Sequence, residues 1–419
     1  MQFKFKFRII YFVFIFFSIA LISCSEKVIY PEPESKEVRL GAILDFSGNY
    51  SEEGLAAKAV IELALERLNQ RYASIESPVR YTCTFADSKL DTSLTLAAAK
   101  DMNSQGIKLL VGGPNSSADL NAIKNYVNEN QMVTLCCISS SPSLAIPNDY
   151  IFRLITDDNN QAQALLRMMQ YNSIKVLIPI WRADTYGTGL YETLKQKFEF
   201  SGGTVLQGVS YQPGATNYQE IINSTGAQVN SAIAGYGAES VAVILITYQE
   251  GSAFLNAASN VPQLRTVKWF GCDANAQKSS ITNDTLSAQF AAGVKFLAPI
   301  MGIGTASYLP INATEIATEV FNRSGLYPDA YALSAYDAVM ITALAFDVVQ
   351  SYNPSKIKVV LSDVCSAYNY MGISRRLNEA GDLASANYIF WTVDYAMGGY
   401  IWNSFATYIA EGEYIEIKN

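Results

Sequence analysis

The 419-residue sequence contains no histidine. That absence removes Ser-His-Asp and Cys-His nucleophilic catalysis, histidine-ligated zinc, and the side chain that most often acts as a general base near neutral pH. Carboxylate, lysine and tyrosine chemistry stays open, so the count disfavours an enzyme without excluding one. Charge is sparse, at 16% of residues, and acidic. The formal net charge of −8 becomes −11 once Lys4, Lys6 and Arg8 are removed with the N-terminal leader described below. A chain of that sign is a poor partner for nucleic acid. Cysteines number six with no Cys-x-x-Cys spacing, so no thiolate metal site is signalled. There is no P-loop, and the GxG strings at Gly187 and Gly302 lack the third glycine of a dinucleotide site. No cofactor or metal is expected, and the best expectation is a protein that breaks no bond.

Apolar residues make up half of the chain, with 26 tyrosines and 20 phenylalanines. At this length that composition fills two cores rather than one. Residues 1–23 carry Lys4, Lys6 and Arg8 and then an apolar run from Ile9 to Ile22. A basic start and a run that short fit an export signal better than a membrane span, with an uncleaved signal anchor as the alternative. Ser25 to Glu37, charged and holding Pro31 and Pro33, reads as a tether over residues 24–37. Beyond Cys24 five cysteines remain, Cys83, Cys136, Cys137, Cys272 and Cys365. An odd number leaves at least one free thiol, and most read as small core hydrophobes.

From Val38 onward, apolar runs of strand length alternate with segments of helical periodicity. Strands are expected at Val38–Leu44, Tyr81–Ala86, Lys108–Val111 and Met132–Ile138, with helices at Leu55–Leu68, Thr92–Asn103 and Ala118–Asn130 between them. The alternation restarts after Tyr150–Ile155. Helices Gln161–Tyr171, Leu190–Phe200, Tyr218–Ala234 (broken near Gly226) and Gly251–Ser259 separate strands Lys175–Ile180, Thr204–Tyr211, Val241–Ile246 and Thr266–Gly271. Late elements follow: a strand at Gly293–Pro299, helices at Asn312–Ser324, Tyr331–Val349 and Lys356–Tyr368, and a final strand at Ala386–Val393. Such alternation implies α/β architecture with two doubly wound lobes. The late elements are too few to fold alone, so the chain is expected to cross between lobes three times, near Leu154–Asp157, Ala298–Pro310 and Ser385–Asn387. The lobes would then be 38–155 with 300–386, and 156–299 with 387–419.

Two serine clusters stand out. Ser116 and Ser117 lie where a strand hands over to a helix, and Ser139, Ser140 and Ser141 lie where the next strand ends. If those strands are parallel neighbours, both clusters meet at the carboxyl edge of one sheet, where open α/β sheets bind ligands. Backbone N–H groups and the dipole at a helix start favour an anion there. An ordinary helix N-cap explains Ser116 and Ser117 equally well when they are taken alone.

Several segments resemble one family together. VRLGAILDFSGNYSEEGLAAKAVIELALERLN is similar to the opening of the type I periplasmic solute-binding proteins, in the branched-chain and general amino-acid group that serves ABC transporters. LLVGGPNSSADL resembles that family's glycine-then-serine loop and Met132–Leu144 its hydroxyl-rich strand end. RADTYGTGLYETLKQKFEFSGGTV resembles its second-lobe signature, and WFGCDANA, ALSAYDAVMITALA and LNEAGDLASANYIFWTV its later landmarks, in order. Leu21-Ile22-Ser23-Cys24 resembles the lipobox of bacterial lipoproteins, which would place a lipid on Cys24 and the body outside the cytoplasm. The resemblance implies two lobes joined by a three-stranded hinge that close on a ligand like a clamp. It implies an amino acid or analogue as ligand, an ABC transporter permease as partner, and Ser116, Ser117, Ser139 and Ser140 on the ligand carboxylate. Asp273 matches the acid that meets the α-ammonium, and Tyr186 the cleft tyrosine of the second lobe. Tyr248 is either a wall of the side-chain pocket or an ordinary rim aromatic. The first loop departs from the family in carrying Ser51, Glu52 and Glu53. With Arg182, these leave room for a polar or cationic ligand side chain, unless both glutamates simply face solvent. A sensory ligand-binding subunit would share all these features.

Overall fold

The computed structural model describes residues 36–305, 310–372 and 374–418. The leader, Cys24 and most of the tether lie outside the described residues. Two sheets organise the chain. The first is built from β1 (Lys36–Leu44), β2 (Val79–Asp87), β3 (Leu109–Gly112), β4 (Val133–Cys136) and β5 (Ile151–Arg153), in the order β2-β1-β3-β4-β5 with every pairing parallel. Its early helices are α1 (Ser51–Ser74), α2 (Thr92–Ser104) and α3 (Ser117–Glu129). Parallel strands need helical crossovers, and crossovers on both faces bury both, so β3 and β4 are apolar or small throughout.

Among the described residues the second sheet has nine strands. Its parallel part comes from β6 (Val176–Arg182), β7 (Thr204–Val205), β8 (Val209–Tyr211), β9 (Val241–Ile246), β10 (Lys268–Gly271) and β11 (Leu297–Met301). The helices α4 (Asp158–Tyr171), α5 (Thr185–Phe200), α6 (Tyr218–Tyr236), α7 (Gly251–Ala258), α8 (Ser279–Asn283) and α9 (Thr285–Val294) alternate with these strands. The chain then returns to the first sheet with α10 (Ile311–Ser324), α11 (Ala330–Val349) and α12 (Pro354–Ala367), where α10 and α11 pack on α1. It comes back through β12 (Tyr388–Ala396), β13 (Gly399–Ile409) and β14 (Tyr414–Ile417), which extend the second sheet with antiparallel pairings. Three connections therefore run between the sheets, after β5, after β11 and before β12. Helix α11 is long and apolar enough to cross a membrane, yet most of it is buried against α1, α12 and β3.

Four local expectations need correction. The expected strand Thr204–Tyr211 is interrupted into β7 and β8 around Gly208, whose φ of 62° no extended strand uses. Helix α6 runs unbroken through Gly226, whose missing side chain makes room for Val261 and Gln263. The expected strand Gly293–Pro299 begins four residues later, because α9 occupies its first two positions and ends on Lys295 in the left-handed region. Nor is Ala386–Val393 the last strand: Met397 and Gly398, both at positive φ, form a two-residue hairpin turn of the kind that matches strand twist and leads into β13. All five described cysteines are free thiols. Cys136 and Cys272 donate to carbonyls of Pro114 and Thr247 inside the core.

Candidate functional site

The register Gly112↔Cys136 makes β3 and β4 parallel neighbours, so the two serine clusters do share one sheet edge. Ser117 Oγ accepts the N–H of Ser141 at 3.1 Å, which ties the clusters directly. Ser139 Oγ donates to the Pro114 carbonyl at 2.9 Å, and Ser116 Oγ accepts from the Asp119 N–H at 3.1 Å as the N-cap of α3. Ser116 is thus the N-cap of α3 and also stands on the shared sheet edge. Behind this edge stands a residue that the sequence did not single out. Arg153, at the end of β5, donates to the carbonyls of Ser139 (3.1 Å) and Ser141 (2.8 Å) and pairs twice with Asp382, at 2.6 and 2.5 Å, all fully buried. A planar guanidinium with five donors suits such a fan of acceptors, and a lysine would not replace it.

The loop between β1 and α1 forms the wall beside the serines. Asp45 accepts N–H groups from Ser47, Gly48 and Tyr50, and its own N–H donates to Asn115 at 2.9 Å. This fold-back holds Tyr50 under the cleft. It needs Gly54, since a Cβ there would fall 1.7 Å from the Asp45 carbonyl oxygen. Helix α1 starts at Ser51, so Ser51, Glu52 and Glu53 are its first turn rather than loop, a favourable place for acids. The two glutamates part company there: Glu52 is exposed and Glu53 is 7% exposed.

Across the cleft the second sheet contributes Asp273, Tyr186 and Tyr248, all buried. Asp273 follows β10 in a short helical turn, and Tyr186 lies in the first turn of α5 behind the N-cap Asp184. Tyr186 donates its hydroxyl to Asp273, which also accepts Tyr331 Oη–H at 2.6 Å and the Ala274 N–H at 2.8 Å. Because Tyr331 belongs to α11, that bond joins the two sheets. Tyr248 stacks on Tyr186 (centroids 5.3 Å, 20°) and also meets Tyr50 at 5.3 Å. Arg182 lies 3.8 Å over Tyr248 and pairs with Asp184 and Glu250, both at 2.6 Å, so its charge is already met by two acids.

A second carboxylate escaped the sequence reading. Asp158 opens α4 just after the first inter-sheet connection, is fully buried, and donates its N–H to the Ser140 carbonyl at 2.9 Å. Gln161, one turn on, donates to Asp158 Oδ1 and accepts the Asp273 N–H, each at 2.9 Å, so one amide holds both acids. Asp158 Oδ2 has no donor. Burial first, and then each other's charge in the case of Asp158, push both carboxyls above the usual aspartate range. The only sequence hint was an acid in the first turn of a helix, which the helix dipole already explains.

Asp119, behind the serines, is pushed from the ordinary 3.8 up to about 6, chiefly by burial. A raised carboxyl makes the folded state hold a proton that the unfolded chain has released, so this group's contribution to stability is present below pH 4 and is lost as pH rises through 6. Asp119→Asn is therefore expected to stabilise the protein by up to about 3 kcal/mol at pH 7.5 and by little at pH 4. Urea unfolding at both pH values reads the difference, and an equal effect at both would sink the assignment.

A family model described as the receptor family ligand-binding region matches residues 56–395. An uncharacterized protein of Methanocaldococcus jannaschii is 27% identical over 380 residues, 86% of this chain and 88% of that one. Glutamate receptor 2.1 of Arabidopsis thaliana is 24% identical over 349 residues, 81% of this chain but 36% of the receptor. Among solved structures, a leucine-binding protein from Thermotoga maritima superposes with a TM-score of 0.71 at 18% identity, covering 88% of this chain and 98% of that one. A branched-chain amino acid transporter substrate-binding protein from Streptococcus pneumoniae, solved with isoleucine, gives 0.72 at 15% identity over 90% of this chain and all of that one. With the family model matched across most of its length and both sheets in the arrangement of these neighbours, the chain belongs to the receptor family ligand-binding region and has the type I periplasmic-binding-protein fold.

Proposed function

We propose that this protein is an extracytoplasmic solute-binding protein, held to a membrane by a lipid on Cys24, that captures an amino acid or close relative between two lobes and delivers it to an ABC transporter permease. The lobes are 38–155 with 300–386, and 156–299 with 387–419. The observation that carries the reading is the buried pair Asp158 and Asp273, held together by Gln161 and tied to the serine edge by the Asp158 N–H on the Ser140 carbonyl. A buried pair of carboxylates in which Asp158 Oδ2 has no donor wants a cation, while a helix start beside serine hydroxyls suits a carboxylate. A zwitterion satisfies both ends at once, with Tyr186 and Tyr248 as the wall between them. Closure then depends on the ligand's preference for the closed form, and no bond is broken. The solute-binding neighbours of the same fold support this reading.

The test is a thermal-shift panel of amino acids and amides on the purified protein. A ligand at 100 times its dissociation constant stabilises the folded state by about 2.7 kcal/mol. No shift with any of them would end the proposal. The anchor has its own check: the intact mass of the membrane-extracted protein should correspond to a chain that begins at Cys24 and carries a lipid, a species that Cys24→Ala abolishes, and an unlipidated wild-type mass removes the lipid from the reading. A second reading, a sensory subunit that reports ligand to a receptor, is favoured by the match to a plant glutamate receptor. Co-purification of a permease or of a signalling partner with the liganded protein separates the two.

A further inference from the structure

Beyond Tyr50 the cleft ends in a charged group that the amino-acid backbone of a ligand would leave untouched. Lys278, from the second-sheet side, pairs with Glu53 Oε1 of α1 and lies 3.9 Å from Asp329 Oδ2, too far for a hydrogen bond. Asp329 caps α11, its Oδ1 accepting the Ala332 N–H at 2.9 Å. Two carboxylates therefore share one ammonium, and Glu53 Oε2 and Asp329 Oδ2 are both buried without a donor. A buried acceptor left unmet has lost its hydration without a return, the more so when charged. The two oxygens thus have an unfilled demand for N–H donors.

This group belongs to the same cleft. The Lys278 ammonium is 5.1 Å from the centre of the Tyr50 ring, Tyr50 meets Tyr248, and Tyr248 stacks on the Tyr186 that donates to Asp273. Burial first, then Glu53, Asp329 and Asp273, push the Tyr50 hydroxyl above its ordinary range, so all three acids bear on one phenol. Outside the group a groove of about 520 Å³, lined in part by Glu52, Tyr327 and Trp402, leaves space for a longer substituent.

We infer that the side-chain end of the cleft selects an amino acid whose side chain terminates in N–H donors, an ammonium, guanidinium or carboxamide, received by Glu53 and Asp329. This rests on the amino-acid reading above. An aliphatic side chain would be buried against two donorless carboxylate oxygens and would add nothing to satisfy them. Lysine or arginine would also balance the net negative charge of the group, and a carboxamide could offer its carbonyl to Lys278 and its NH₂ to Glu53.

Calorimetric titration of the full protein with leucine, isoleucine, glutamine, ornithine, lysine and arginine tests it. At least one of the last four is expected to bind tenfold or more tightly than leucine. Glu53→Gln and, separately, Asp329→Asn, which keeps the helix cap, should each lower that donor-to-leucine ratio by about tenfold. Tightest binding of leucine or isoleucine, or a ratio unmoved in both folded variants, overturns the inference while leaving an amino-acid binder. Binding of no amino acid at all overturns both.

Discussion

Asp273→Asn is expected to weaken binding of the best α-amino acid by about 30-fold to a few thousandfold while leaving a folded protein. The magnitude follows from removing one charge of a buried, hydrogen-bonded ion pair, which costs about 2–5 kcal/mol at about 1.4 kcal/mol per tenfold. Asparagine rather than alanine is the informative change. Asp273 is bound by Tyr186, Tyr331 and the Ala274 N–H, and alanine would strand two buried tyrosine hydroxyls and confuse stability with recognition. Asparagine keeps an oxygen to accept from Tyr186 and the Ala274 N–H and reverses the Tyr331 contact, its NH₂ donating to that hydroxyl, so the charge goes while the contacts stay. The pH dependence carries a second signature. Burial holds the Asp273 carboxyl above its usual range in the ligand-free cleft, so an ammonium must displace a proton as pH falls through that raised value. Affinity in the wild type should therefore decline as pH falls through that raised value, with proton release on binding, and Asp273→Asn should blunt that decline, with Asp158 sustaining the remainder. Calorimetry in two buffers of different ionisation enthalpy reads both quantities. Wild-type affinity in the variant would refute the ammonium assignment.

Much of this arrangement was legible in the sequence because it depends on period and position. Alternating strands and helices gave both sheets, and β9, a run of six buried residues, has the predicted limits Val241–Ile246. The two serine clusters could be placed on one edge in advance since two adjacent parallel strands end in line, and the bond between Ser117 and Ser141 is where they meet. What stayed unread depends on distant partners. Tyr331 and Asp273 are 58 residues apart, Glu53 and Lys278 are 225 apart, and neither pair leaves a local trace. The half-buried strand β13 shows neither a continuous apolar run nor clean alternation, because aromatic residues cover both of its faces, so the final hairpins went unseen. Asp158 was hidden for a different reason. An acid in the first turn of a helix, next to the capping Asp157, looks the same as a ligand-binding acid until burial is known.

Arg153→Met is the substitution expected to cost the most stability, about 3–5 kcal/mol in urea unfolding, because it leaves Asp382 buried without its partner. The carbonyls of Ser139 and Ser141 also lose their donor, so the serine edge should loosen and ligand affinity fall together with stability. These two losses have different remedies. Adding Asp382→Leu removes the stranded charge, and a buried ion pair replaced by apolar side chains of similar volume is often neutral or better, so the double variant should regain most of the stability. It supplies no donor to Ser139 and Ser141, so affinity should stay low. Recovery of both properties in Arg153→Met/Asp382→Leu would mean that Arg153 only balances Asp382. Recovery of stability alone would identify the guanidinium as the group that positions the carboxylate half of the clamp, a role that a lone ion pair at the end of β5 would have no reason to fill.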